Sequence, residues 1–248
     1  MKNKSWHLRN KWKRHRALEG SPAIQRNLPE TALLSKQSIG RYLDKYSTIF
    51  IKPVFGSYGR SVTKITKVGT KYRVQSGLTV KQVESREKTI KMLLAFAGKR
   101  PFLIQQGVKL ISSDKRPIDF RVLFVRPHAK WMYMGTIGKL AAPKRIVTNY
   151  HSGGTAISLR KALAMTNRSG MYKRVKGKMQ ALGQLVSNRF GRKYKLARKI
   201  GIDMGLDQNL KPWILEVNTQ PTYNLFRNHP DKRVYRKIDK HMKHIDRL

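Results

Sequence analysis

With 248 residues and 40% hydrophobic side chains, the chain can build one large domain or two small ones packed together. It has no cysteine, which excludes disulfides, thiolate metal sites and a cysteine nucleophile, and no apolar run approaches the roughly 18 residues of a membrane span. Lys and Arg number 54 against 13 Asp and Glu, a formal charge of +41 spread along the whole length, which opposes compaction by self-repulsion and favours polyanionic partners.

The basic N-terminus is followed by no apolar stretch, so it does not read as a secretory signal, and a soluble, cytoplasmic protein is expected. Residues 1–30 read as a basic helical stretch ending in a turn at Asn27-Leu28-Pro29. The segment from Ser35 to Tyr46 places Ile39, Leu43 and Tyr46 on one helical face. STIFIKPV is a buried strand ended by Pro53, and VTKITKVGTKYRVQS alternates as a hairpin turning at Val68-Gly69-Thr70. A helix is expected from about Val80 to Phe96, closed by Gly98. PFLIQQGV is a strand running into a loop, and PIDFRVLFVR and KWMYMGTIG are two further strands. Residues 157–195 read as mostly helical and basic. KIGIDMGLD and PWILEVN are strands joined by a short turn, and residues 229–248 form a basic helix packed on, or trailing from, the body. The fold class is therefore α+β or mixed α/β.

In so acid-poor a chain the position of each carboxylate carries information. No Asp or Glu occurs from Phe120 through Ile202; then Asp203, Asp207 and Glu216 fall within fourteen residues. A turn near Asp207 to Lys211 sets Asp203 opposite Glu216, with Asn218 on the same face as Glu216. Like charges directly opposite repel by up to about 1 kcal/mol, and a cation between them reverses the sign. Two carboxylates and an amide, with no His or Cys, suit Mg²⁺ or Mn²⁺ rather than zinc. Salt bridging to the abundant Lys and Arg is the competing reading. It is preferred for Asp207 at the turn, and spacing alone leaves both open for Asp203, Glu216 and Asn218.

IKPVFGSYGRS offers an anion site, with Lys52 in an apolar strand and Gly56 and Gly59 bracketing Ser57 and Tyr58. It is neither a Walker loop nor a dinucleotide fingerprint, and taken alone it reads more readily as an ordinary hairpin. LIQQGV, breaking at Gly107, can hold an adenine by its backbone. Arg121 and Lys139 are cations within apolar strands, which edge-strand exposure would also explain. NYHSGGTAI reads as a loop leading to a helix, another candidate anion site.

Taken in order, the Lys-Pro strand with its Gly-rich loop, the hinge, D-x-R, N-x-x-x-GG and D…E-x-N followed by Pro221 resemble the ATP-grasp superfamily. The last spacing is similar to the metal signature of D-alanine–D-alanine ligases and ribosomal-protein glutamate ligases. NKWKRHRALEG…LPET, IKPVFGSYGRS, FLIQQGVKL, PIDFRVL and WILEVNTQP are similar, in the same order, to motifs of the YheC/YheD family, the endospore coat-associated proteins of Bacillus and its relatives. The resemblance spans roughly residues 10–225. It implies an ATP-grasp fold, two α/β subdomains gripping ATP, with the pre-ATP-grasp domain of larger members largely absent, so that the acceptor site is incomplete or partner-supplied. The implied division is a basic helical segment at 1–34, a small subdomain with the Gly-rich loop at 35–108, a second subdomain with the metal site at 109–228 and a basic helix or tail at 229–248.

The same resemblance implies roles residue by residue. Lys11 and Lys52 would contact ATP phosphates, with Gly56, Ser57 and Gly59 as a mobile lid. Gln105, Gln106, Gly107 and Val108 would be the adenine hinge, which here lacks the carboxylate that commonly binds ribose. Arg121 and Lys139 would neutralise the γ-phosphate and a developing acyl phosphate, and Asn149 would orient phosphate or metal. Asp203, Glu216 and Asn218 would hold Mg²⁺ (or Mn²⁺). The expected function is an ATP-dependent carboxylate–amine or carboxylate–thiol ligase, the acceptor being an acidic polymer or protein by charge complementarity alone. The rival is a spore-associated binding protein without turnover that coats DNA or anionic wall polymer. A sequence-specific nucleic-acid reader lacks any recognisable motif.

Overall fold

The computed structural model describes residues 10–56, 61–148 and 153–247. Its elements fall into two antiparallel sheets. The first is ordered β1 (Thr31–Leu33), β6 (Phe102–Gln106), β2 (Thr48–Pro53), β3 (Thr63–Val68), β4 (Lys71–Ser76) and β5 (Thr79–Val83). Helices α3 (Lys36–Lys45) and α4 (Arg86–Ala97) cover it, burying Ile39, Tyr42, Leu43, Ile90 and Leu93 against Ile49, Ile51, Ile65 and Ile104. Ser35 and Ser38 cap α3 reciprocally, and Ser85 accepts from Lys88 N to start α4.

The second sheet is ordered β10 (Thr155–Ile157), β9 (Met132–Leu140), β8 (Arg116–Val125), β11 (Lys199–Leu206) and β12 (Pro212–Asn218), with β7 (Ser112–Ser113) paired to β8. Alternation along the strands divides its faces. Phe120, Val122, Phe124, Ile200, Ile202 and Met204 form one core with α5 (Leu159–Ala164) and α6 (Tyr172–Lys193). On the other face Leu123, Val125, Met134 and Ile137 pack against Ile238, Met242 and Ile245 of α7 (Lys232–Ile245), so the basic C-terminal helix is docked on the body.

Three expectations change. The N-terminal helical stretch is two short helices among the described residues, α1 (Lys11–Arg16) and α2 (Pro22–Gln25), because Gly20 at φ +74° and the following Ser-Pro break it. Ala17, Leu18, Ile24 and Leu28 from this stretch join the core of the second sheet. The helix expected from Val80 begins at Arg86 instead. Gly77 at φ +60° turns the chain back, and Thr79–Val83 extends the hairpin as β5. Residues 155–157, expected in a loop, pair with β9.

Candidate functional site

Asp203 and Glu216 are register partners across β11 and β12, with Gly201 opposite Asn218, as the spacing predicts. Asp203 is also the register partner of Arg121 on β8, and Asp119 of Lys139 on β9. The polar set thus lies on the face that α7 covers at its other end. Arg121 and Lys139 sit in central strands, 9% and 3% exposed, which removes the edge-strand reading.

Within this set Arg121 Nε donates to Asp203 Oδ1 at 2.8 Å and Lys139 Nζ donates to the same oxygen at 2.9 Å. Asn218 donates its amide nitrogen to Asp203 Oδ2 at 2.9 Å, so its amide oxygen is the atom it can offer a cation. Burial alone would raise Asp203, but Arg121 and Lys139 hold it well below the usual carboxylate range. Its neighbour Asp119 accepts from Thr148 at 2.6 Å and stands 3.0 Å from Lys139 Nζ. Burial keeps Asp119 above the ordinary range in spite of that lysine. Gly201 is required for this packing: a Cβ there would lie 2.8 Å from Arg121 Cδ and 2.7 Å from Pro221 Cβ.

Glu216 faces the gap between the two sheets, where Arg14 donates to its Oε1 at 3.0 Å and Lys11 Nζ lies 4.0 Å away. Lys11 Nζ also donates to Gly56 O, and its backbone N donates to Val54 O at 3.0 Å, so α1 bridges the first sheet to β12. Across the gap Lys52 Nζ donates to Gln105 Oε1 at 3.0 Å and to Leu215 O at 3.2 Å. These are neutral acceptors. Lys52 keeps some surface exposure but is surrounded by protein, and burial pulls it down to about 8 with only partial opposition from Glu216. Lys11 is lowered for the same reason. The space between these groups is a cavity of about 20 Å³ walled by Leu18, Leu28, Leu103 and Ile214 besides the charges.

The hinge residues divide. Gln105 points into this cleft, while Gln106, Gly107 and Val108 line an outer hollow of about 240 Å³ with Asp207 and Trp213. Gly107 packs so closely that a Cβ would fall 2.6 Å from Thr48 O. Asp207 accepts from Asn209 N, Lys211 N and Trp213 Nε1, so it holds the turn through neutral donors where a salt bridge to Lys or Arg was expected. Ser57, Gly59 and Asn149 lie outside the described residues. Sequence reasoning missed Arg14 and assigned no role to Asp119. The D-x-R alternation with Arg121 was a signal for Asp119; Arg14 had none beyond its place three residues after Lys11.

Among the described residues no three His, Asp or Glu side chains cluster as a metal site. The donor set nevertheless fits a hard divalent ion. Two carboxylates paired across neighbouring strands and one amide oxygen are few protein ligands, the arrangement in which Mg²⁺ relies on phosphate and water. Five cations (Lys11, Arg14, Lys52, Arg121, Lys139) against three carboxylates (Asp119, Asp203, Glu216) leave the cleft positive and suited to an anion.

The profile of the YheC/D like ATP-grasp family matches residues 2–244. The chain belongs to this family. It is 28% identical over 236 residues to the endospore coat-associated protein YheD of Bacillus subtilis, covering 90% of this chain and 50% of YheD, so it spans half the length of that relative. Among solved structures it is similar to the D-cycloserine synthetase DcsG, with TM-score 0.58, 13% identity and coverage of 96% of this chain and 70% of that one. It is also similar to a D-alanine–D-alanine ligase from Bacillus anthracis, with TM-score 0.55, 13% identity and coverage of 98% and 67%. The fold is that of the ATP-grasp proteins, and among the described residues no helix is long and apolar enough to cross a membrane.

Proposed function

We propose that the chain binds ATP with Mg²⁺ between its two sheets and acts as an ATP-dependent carboxylate–amine or carboxylate–thiol ligase. The observation that carries this reading is the cleft itself: a pair of opposed carboxylates, Asp203 and Glu216, set among five enclosed cations on both walls. The ligase and synthetase among the similar folds support the reaction class. Asp203, Glu216 and the Asn218 amide oxygen would hold Mg²⁺, which when bound draws charge from the polyphosphate. Lys11 and Lys52 bind phosphate oxygens, and Lys52 gains the anionic partner it lacks. Gln105 reads the nucleotide from within the cleft, while Gln106 to Val108 form its outer margin. Arg121 and Lys139 neutralise charge as the terminal phosphoryl group passes to a carboxylate; an amine or thiol then displaces phosphate from the acyl phosphate. Gly56, Ser57, Gly59 and Asn149 complete the phosphate side, and the domain limits at residues 34, 108 and 228 follow from the same reading.

The test is thermal unfolding with Mg-ATP at fixed ionic strength, with pyrophosphate alongside. Ligand at about 100 times its dissociation constant adds roughly 2.7 kcal/mol. A Mg²⁺-dependent shift given by ATP, not matched by pyrophosphate and lost in Glu216→Gln, is expected. Equal shifts with pyrophosphate that survive the mutation would refute the site. They would favour the second reading, a polyanion-binding protein, for which the exposed Lys232, Arg233, Arg236, Lys237, Lys240 and Lys243 of the docked α7 supply a ridge.

A further inference from the structure

Arg14 has features that the proposed mechanism leaves unused. Its side chain is enclosed, 7% exposed, and lines the cleft between β12 and the face of β2 and β6. One terminal nitrogen reaches Glu216 Oε1, 202 residues away in sequence. Its Nε is buried with no hydrogen-bond partner among the described residues. A guanidinium carries five donors in a rigid fork shaped for two-point contact with carboxylate or phosphate, so one prong on Glu216 and a buried idle N–H is an incomplete engagement.

The backbone beneath it is fixed from both sides. Asn10 caps α1 by accepting from Lys13 N, and Lys11 N is tied to Val54 O of the first sheet. From α6 and the residue that ends it, Arg189 donates to Ala17 O and Tyr194 to Lys13 O. Only the guanidinium end is exchangeable. It sits on the one carboxylate of the pair that no other hydrogen bond satisfies among the described residues, since Asp203 already accepts from Arg121, Lys139 and Asn218. Arg14 is therefore an internal cation on the carboxylate through which Glu216 would meet a metal, with a second, unused donor on the same fork.

We propose that Arg14 neutralises Glu216 while the cleft lacks nucleotide and transfers its fork to the polyphosphate when a metal–nucleotide binds. It thereby opposes binding of the metal alone and favours binding of the metal–nucleotide. This rests on the reading of Glu216 as a metal ligand. The two effects have opposite signs, which a residue that merely holds the fold cannot produce.

The experiment uses the full chain and reads Mn²⁺ binding by electron paramagnetic resonance, first with Mn²⁺ alone and then with Mn-ATP. Arg14→Met keeps the buried stem and removes the charge. It is expected to tighten Mn²⁺ alone by about tenfold and to weaken Mn-ATP by about tenfold, the scale of one hydrogen bond to a charged group. Arg14→Lys keeps a single cation on Glu216, so Mn²⁺ alone should bind as in wild type while Mn-ATP weakens less than in Arg14→Met. Should Arg14→Met fail to fold by circular dichroism, the lysine variant carries the test: unchanged Mn-ATP affinity there overturns the forked phosphate contact. If both affinities of Arg14→Met move together, or neither moves, while Glu216→Gln still weakens Mn-ATP, Arg14 has no such role and the nucleotide site stands. If wild type binds no Mn-ATP, both fall.

Discussion

Lys52 offers a quantitative test of whether phosphate enters this cleft. Its hydrogen-bond partners are two neutral oxygens, and burial holds it at about 8 rather than the ordinary 10.5. Before nucleotide arrives, then, roughly 0.1 of molecules carry a neutral Lys52 at pH 7, about 0.5 at pH 8 and about 0.9 at pH 9. An anionic phosphate beside the amine favours its charged form and raises it again, so binding must take up that fraction of a proton. The sign is fixed: affinity for Mg-ATP falls as pH rises above 8, by up to about tenfold per pH unit until the bound-state value is reached. Calorimetric titration with Mg-ATP in two buffers of different ionisation enthalpy, repeated at pH 7, 8 and 9, counts the protons directly. Lys52→Arg is the decisive variant, because a guanidinium keeps its proton throughout this range and should abolish the lysine's share. Lys11, also lowered by burial, can leave a residue of uptake in the variant. Uptake that is flat from pH 7 to 9, or undiminished in Lys52→Arg, would refute phosphate contact by Lys52.

Other perturbations reach the same site. His15 is enclosed near Lys52 and Arg16, and burial first, then those charges, push it down to about 4, so the folded state resists a proton that the unfolded chain accepts near 6.5. Stability is full above pH 6.5 and falls as pH drops toward 4, by about 3 kcal/mol from this group; urea unfolding across that window should show the slope and His15→Gln should flatten it. Asp203→Asn strands Arg121 without its anion, leaves Lys139 with Asp119 alone, and should cost about 3–5 kcal/mol by the same assay. Gly201→Ala drives a methyl into Arg121 and Pro221 and should cost about 1–3 kcal/mol. ATP turnover, measured as phosphate release, should fall in this variant even at temperatures where circular dichroism shows it folded.

How much of this was legible in the sequence depended on whether the partners lay close along the chain. Asp203 against Glu216 could be placed because a short turn joins their strands, and Asp207 marks that turn; the register break beside Met204, which makes the pairing skip Leu215, had no local signal. The strand at Thr79–Val83 was missed because the helical pattern that starts at Arg86 was extended backwards past Ser85, the true cap, to Val80. Burial of Arg121 and Lys139 depends on β8 and β9 being interior strands, a fact of sheet order that no strand records by itself. Arg14 was invisible for a statistical reason: among 54 cations nothing singled out the one that reaches Glu216.

The distribution of the 13 acids weighs between the two functional readings. Glu19, Glu30, Asp44, Glu84, Glu87, Asp231, Asp239 and Asp246 all form ion pairs with basic side chains toward the surface. Exposed pairs of this kind contribute little to stability, and their plain effect is to dilute a very positive surface. A protein that only coats polyanions needs nothing more from its carboxylates. Asp119 and Asp203 are instead carried into the interior, where desolvation costs several kcal/mol per ion before any partner offsets it, and where well-packed apolar residues are often as stable or more so. Glu216 faces the cleft between the sheets, and together the three are surrounded by cations that outnumber them five to three. Surface charge explains affinity for polyanions in general. It does not explain why an acid-starved chain places three of its few carboxylates there, and the proposed metal held against phosphate would.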